Sequence, residues 1–174
     1  MKNQKLIAVV FLLALAAVAR FLPHPPNFSP VTAMVFLSGV ILSNRLAALT
    51  LPLFFVFLTD LVIGFYPGQW MVYLAYLSIG AIGILQSRFG SNKLAWGGTV
   101  LSSAVAFFVV SNLGVWMTGT LYPRTLEGLM SCFAMAVPFF PSTLVSHVLF
   151  VGILSAVYHW GTKPLANKLV TEAS

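Results

Sequence analysis

The chain alternates between long apolar runs and short polar interruptions. Runs such as "LIAVVFLLALAAVA" at 6–19 and "PLFFVFL" at 52–58 contain no charged residue and no regular alternation of apolar and polar positions. Continuous apolar runs are typical of membrane-spanning helices, whereas the strands of a membrane barrel alternate over segments of about ten residues. The pattern therefore predicts an all-α fold, a polytopic membrane helix bundle.

Short polar segments divide the apolar runs into about six transmembrane helices within a single domain. The predicted spans are 6–22, 31–43, 46–65, 70–86, 94–115 and 141–160. The region before the last span is interrupted by Pro138 and Pro141, so 125–137 is expected to be a helix lying in or dipping into the outer interface. The second span falls short of the roughly 20 residues that a crossing needs. It is therefore expected to begin inside the protein, beneath the proline-rich stretch "LPHPPNFSP" at 22–30.

Basic residues predict the orientation of this bundle. With the N-terminus inside and six spans, the outer side receives Arg20 and Arg124 out of the 9 Lys and Arg residues. Cytoplasmic loops carry an excess of Lys and Arg, so this distribution favours an N-in, C-in topology. The residues on the predicted cytoplasmic side are Lys2, Lys5, Arg45, Arg88, Lys93, Lys163 and Lys168.

The first apolar segment has an alternative interpretation. "MKNQK", an apolar run and "AVA" before Arg20 also resemble a cleavable signal peptide. Cleavage after Ala19 would leave five spans without changing the topology of the rest. The mass of the mature protein distinguishes the two alternatives, because a cleaved chain begins at Arg20.

Composition excludes several classes of protein. The chain is 59% hydrophobic and 7% charged, and its mean hydropathy is +0.96, whereas soluble domains are roughly 25% charged. The net charge of +6 does not indicate nucleic acid binding, because the basic residues are scattered at the ends of apolar runs. One cysteine, Cys132, excludes an intrachain disulfide. Neither a phosphate-binding glycine loop nor a metal-ligand spacing is present, so we expect no catalytic residue, metal or cofactor.

Polar and aromatic residues gather in the outer third of the predicted bundle. They come from the spans and from the outer loops, where a charge inside a span usually faces a partner or a cavity. A pocket with a few well-placed polar groups is typical of a ligand site. The candidate ligand-binding residues are Asn27, Asp60, Tyr73, Asn112, Trp116 and His147.

Some of the polar and aromatic residues at this end also have a structural interpretation. Asp60 would be a structural partner of Arg20 or His147. His24 would only terminate the first span. Aromatic side chains such as Trp116 would form part of an interfacial belt.

Four motifs resemble those of a bacterial family of uncharacterised membrane transport proteins. The motifs are "RFLPHPPNFSPVTAM" (20–34), "LTDLVIGFYP" (58–67), "SNLGVWMTGTLYPRTLEGL" (111–129) and "AVPFFPSTL" (136–144). The six-helix size and layout are in turn similar to the substrate-binding S components of energy-coupling-factor vitamin transporters, an analogy of size and topology.

The resemblance implies a function and partners. S components bind a vitamin or related micronutrient from the outer side, within the bacterial inner membrane. They work with a membrane coupling subunit and paired ATPases, or alone. In that family a small-residue face of the first helix, often AxxxA, docks the coupling subunit. Here Ala8 and Ala16 frame such a face with Leu12 between them, without a strict AxxxA.

Three functions are therefore compared. The first is binding and transport of a small solute by a protein of S-component type. The second is a non-transporting scaffold or assembly factor of the inner membrane. The third is a membrane enzyme in which Asp60 and His147 form an acid–base pair. The chain offers no nucleophile or metal set in support of the enzyme.

Overall fold

The computed structural model describes the backbone of residues 2–172 and the side chains of residues 3–161. Over this range the chain is helical and contains no strand, so the predicted all-α helix bundle is confirmed. The helices are α1 (Lys2–Ala19), α2 (Val31–Ile41), α3 (Arg45–Ile63), α4 (Gln69–Phe89), α5 (Lys93–Thr118), α6 (Leu126–Ala136) and α7 (Phe140–Glu172).

Four helical stretches are long and apolar enough to cross a membrane. These are α3, α4, α5 and the continuous stretch Leu126–Gly161. The remaining two apolar helices, α1 and α2, are shorter, and α2 has only 11 residues. The fold is thus that of a polytopic membrane protein, while its orientation in the membrane stays a prediction.

The short helix α2 lies at the centre of the bundle. Every residue from Val31 to Gly39 is buried, on all sides of the helix. It packs against α1, α3, α4, α5 and α7. A helix that is apolar all round is stable only when it is surrounded. Because α2 is covered by protein along its length, it does not need the length of a lipid-exposed span.

Glycines allow α2 and α4 to approach closely. A Cβ atom on Gly83 would lie 2.1 Å from the carbonyl oxygen of Phe36, and one on Gly39 would lie 2.4 Å from that of Gly80. Small residues at helix crossings in membranes permit this backbone contact. The contact fixes α4 against the central helix.

Pro138 changes the helix just before α7 without breaking it, and Pro141 lies in the first turn of α7. Residues Val137–Phe139 form one 3₁₀ turn, and α7 follows directly at Phe140. Pro138 lacks the N–H that an α-helical hydrogen bond needs, so one turn tightens at this point. The expected helix at 125–137 is therefore α6, which continues into α7 without a loop. No membrane accompanies the structure, so its interfacial position stays a prediction.

Helix α1 turns its small-residue face into the bundle. Leu12 and Ala16 are buried, together with Val9 and Leu13, against α2 and α3. The face that the resemblance assigned to docking is therefore internal. The opposite face is large and apolar, with Phe11, Leu15 and Val18 exposed.

We predict that Gly83→Ala destabilises the protein by about 1–3 kcal/mol, because the added methyl group meets the backbone of α2. Gly97→Ala is the matched control. A Cβ at Gly97 has nothing within 4 Å, and alanine favours helix over glycine by up to about 1 kcal/mol. Thermal unfolding in detergent should show a lower midpoint for the first variant only. Equal midpoints for both would contradict close α2–α4 packing.

Candidate functional site

A buried ion pair joins the ends of α1 and α3. The Arg20 guanidinium lies 2.6 Å from Asp60 Oδ1, and the two side chains are 20% and 3% exposed. Arg20 Nη1 also donates to the Val56 carbonyl oxygen at 3.1 Å and to the Thr59 hydroxyl. Of the structural interpretations of Asp60, the pairing with Arg20 is therefore the one that the molecule adopts.

The second oxygen of Asp60 joins this pair to α4. Asp60 Oδ2 accepts hydrogen bonds from Gln69 Nε2 at 2.5 Å and from the Tyr73 hydroxyl at 2.6 Å. Gln69 Oε1 in turn accepts from the backbone N–H of Tyr66 at 3.2 Å, which holds the loop between α3 and α4. A buried charge requires such hydrogen bonds. We call Arg20, Thr59, Asp60, Gln69 and Tyr73 the charged network.

The proline-rich segment 22–30, which we call the strap, is fastened to α7. Ser146 Oγ accepts from the Ser29 N–H and donates to the Ser29 carbonyl oxygen, both at 3.0 Å. Ser142 Oγ donates to the Pro26 carbonyl oxygen at 2.8 Å. The Phe28 ring packs edge-on against Phe150 at 5.6 Å. These contacts hold the strap in place over one end of the bundle.

A cavity of about 580 Å³ lies at this end of the bundle, which is the end predicted to face outside. It is lined by the strap, the loop between α3 and α4, and the ends of α2, α4 and α5. Its lining contains polar side chains, aromatic rings and aliphatic side chains. The lining residues that concern us are Arg20, His24, Asn27, Ser29, Thr32, Tyr66, Tyr76, Phe107, Ser111, Asn112 and Thr118.

Two asparagines offer hydrogen-bonding groups to this cavity. Asn27 has a left-handed backbone with φ of 61°, which asparagine tolerates better than most residues. Within residues 3–161, its side-chain amide has no hydrogen-bond partner. Asn112 Nδ2 donates to the Phe108 carbonyl oxygen at 2.8 Å, and Oδ1 has no hydrogen-bond partner among the described side chains. Partial burial, and secondarily the Asp60 carboxylate, raises the pKa of the Tyr66 phenol, so this hydroxyl stays protonated.

A smaller cavity of about 170 Å³ shares both asparagines. It extends toward α6 and is also lined by Tyr122 and Cys132. Trp116 lies outside both sets of lining residues, and its indole N–H donates to the Pro123 carbonyl oxygen at 3.1 Å. Its contact thereby holds the loop between α5 and α6.

His147 lies inside the bundle, below the cavity. Its ring is 0% exposed and contacts Thr32 of α2 and Ser103 of α5. No hydrogen bond or ion pair links it to Asp60 in the described part of the chain, so the two residues are not arranged as an acid–base pair.

The predicted site residues thus separate into four groups, one of which is Trp116, outside the cavity lining. Asn27 and Asn112 line the cavity. Asp60 and Tyr73 hold its wall together through Arg20 and Gln69, and His147 reaches it through Thr32. The polar and aromatic lining residues that were not among these candidates are Arg20, His24, Ser29, Thr32, Tyr66, Tyr76, Phe107, Ser111 and Thr118. Arg20 lies at the predicted outer end of the first span. This position along the chain is the feature by which the sequence could have identified it as a lining residue.

Fold and site together define a polytopic helical membrane protein with a mixed polar and aromatic cavity at one end. The chain belongs to the family of unknown function DUF6580, whose model matches residues 1–168 of its 174 residues. No curated protein and no solved structure matches the chain significantly.

We predict that Asp60→Ala destabilises the protein by about 3–5 kcal/mol, because the change leaves Arg20 charged and unpaired in a largely buried position. Glu127→Ala is the control, since Glu127 is an acidic residue that is exposed. Thermal unfolding in detergent measures both. Equal effects of the two changes would show that the charged network does not stabilise the fold.

Proposed function

We propose that this protein binds a small solute at the outer side of the bacterial inner membrane and takes part in its transport. The observation that carries the proposal is the cavity of about 580 Å³ beneath the strap. Pockets for small molecules are typically about 300–1,000 Å³, with mostly apolar walls and a few oriented polar groups. Both the volume and the mixed lining fit that description.

The lining suggests a solute with a flat ring and several hydrogen-bonding groups. Tyr66, Tyr76 and Phe107 provide aromatic surface. Asn27 and Asn112 provide amide groups with unused donors or acceptors. A vitamin-like heterocycle satisfies both kinds of surface, because a ring stacks on aromatic side chains while its polar edges bond to amides.

The similarity to S components supports a coupling subunit with ATPases as the source of energy. Such a subunit would not meet the face that contains Leu12 and Ala16, because these residues are buried in the bundle. In this proposal it contacts the outward face of α1, with Phe11, Leu15 and Val18. Large apolar side chains can pack against a partner helix as well as against lipid.

We predict that purified protein shows a thermal shift with at least one water-soluble vitamin, vitamin precursor or cobamide. Asn112→Ala should weaken the affinity by about tenfold, which corresponds to about 1.4 kcal/mol for one lost hydrogen bond. Asn27→Gly tests the strap better than Asn27→Ala, because glycine keeps the left-handed backbone while removing the amide. Asn3→Ala is the control, since Asn3 lies at the opposite end of the bundle.

The absence of a shift with every compound would argue against solute binding. If Asn112→Ala and Asn27→Gly then altered the recovery of a co-purified protein complex, the scaffold function would be favoured instead. If solute binding is unchanged in Asn27→Gly, the Asn27 amide takes no part in binding and the strap only connects two helices.

A further inference from the structure

His147 is an ionisable side chain placed at the centre of the helix bundle. Its Nε2 lies 2.7 Å from Ser103 Oγ, and its Nδ1 lies 3.1 Å from Thr32 Oγ1. The Phe36 ring covers it edge-on at 5.8 Å. Ionisable residues inside membrane segments are costly and usually serve ion or proton pathways. A histidine that only filled space here would be replaceable by an apolar residue at lower cost.

The hydrogen bonds assign the tautomer of the ring. Ser103 Oγ donates its proton to the Val100 carbonyl oxygen at 2.8 Å, so its oxygen is left as an acceptor. His147 Nε2 therefore carries the proton and donates to Ser103. Nδ1 is then the unprotonated nitrogen, and it accepts a hydrogen bond from the Thr32 hydroxyl.

Thr32 connects this ring to the cavity. Its side chain lines the cavity and is 9% exposed, while its hydroxyl bonds to His147. Within the described side chains, the Thr32 hydroxyl has no other hydrogen-bond partner. One hydroxyl group therefore separates the buried nitrogen from the solute site.

Among the described side chains of the helices that pack against α7, no acidic or basic group faces the ring. Helix α2 contains no ionisable residue, and the one in α5, Lys93, is at the opposite end of the bundle. In α1, Lys2 and Lys5 also lie at that opposite end, and Arg20 is bound in the charged network. An imidazolium at His147 would thus have no carboxylate partner in the described part of the protein.

We propose that His147 is a proton-binding site coupled to the cavity, so that an anionic solute binds together with a proton. The inference rests on the proposed function. A hydronium ion in the cavity gives a proton to Thr32 Oγ1 and is left as water, while the Thr32 hydroxyl proton passes to His147 Nδ1. The ring then carries one additional proton and one positive charge, and reversal of the same steps returns the proton to the cavity.

Protonation changes what the cavity presents to a solute. The new Nδ1–H donates to Thr32 Oγ1, so the Thr32 hydroxyl proton is free to point into the cavity. The threonine changes from an acceptor to a donor toward the solute. The uncompensated positive charge also stabilises an anion nearby. By linkage, a solute that raises the affinity of the ring for a proton is itself bound more tightly, by the same factor, when the ring is protonated. Arg20 also lines the cavity, but its charge is paired with that of Asp60.

Histidine-labelled NMR tests the proton site directly. The chain has 3 histidines, so the double variant His24→Gln, His159→Gln leaves His147 alone. Near neutral pH the ring ¹⁵N signals should show one protonated nitrogen, Nε2. Acidification should convert the ring to the doubly protonated form while the protein stays folded, and Thr32→Val should shift that transition. A ring that stays neutral until unfolding, or a transition that Thr32→Val leaves in place, would overturn the proposal.

A matched pair of probes tests the coupling to an anion. Benzoate and benzamide share a ring and differ in charge. Between about pH 7.5 and pH 5.5, benzoate affinity should rise by about fivefold or more in the parent protein. It should change little in His147→Gln, which keeps hydrogen-bonding groups but cannot take up a proton. Benzamide affinity should not depend on pH in either.

The outcomes separate this inference from the proposed function. Benzoate binding that has the same pH dependence in His147→Gln, or no benzoate binding at any pH, overturns the coupling of a proton to an anion. Neither result touches solute binding found in the vitamin screen. Conversely, a screen without any bound solute overturns the proposed function, and the NMR transition of His147 would still show a proton site in contact with the cavity.

Discussion

The buried ion pair between Arg20 and Asp60 is the interaction on which the cavity end of the bundle depends. Removing two charges from water costs several kcal/mol for each ion, and the pair is retained only because hydrogen bonds satisfy both groups. Those bonds come from three helices, with Gln69 and Tyr73 of α4 completing the shell around Asp60. Satisfying the charge and holding three helix ends together are therefore the same structural requirement.

Two polar networks divide the interior, and they differ in the freedom of their protons. In the charged network every bond is made by a fixed charge or by an amide, so its geometry has one favourable arrangement. In the second network, Thr32, His147 and Ser103 are joined through hydroxyls and an imidazole, whose protons can be rearranged. The first network is suited to holding the cavity wall, and the second is suited to responding to what occupies the cavity.

The sequence predicted how far along its helix each residue lies better than it predicted which side of the helix the residue occupies. Hydrophobic runs gave the helices, and the short second run corresponds to the buried helix α2. Asn27 and Asn112, which the alternating topology assigned to the same end, both line one cavity. The rotation of each helix about its axis depends on contacts such as those of Gly39 and Gly83. In a helix that is apolar all round, the pattern of hydrophobic residues does not reveal these contacts. Trp116 therefore lies near the end of α5 that lines the cavity, but its side chain is not part of the cavity wall.

The position of the strap over the cavity explains why so apolar a chain contains this rigid, proline-rich segment. Much of the outer surface of the bundle is apolar and shows little chemical distinction from one helix to the next. Selectivity for a solute must then arise where polar groups are held at fixed positions, and proline reduces the entropy lost in holding them. Because Ser29 and Pro26 are bonded to α7 while Asn27 lies between them with its amide unpaired, the strap is fastened on both sides of that residue. The rigidity of the segment is therefore supplied on both sides of Asn27, which lines the cavity.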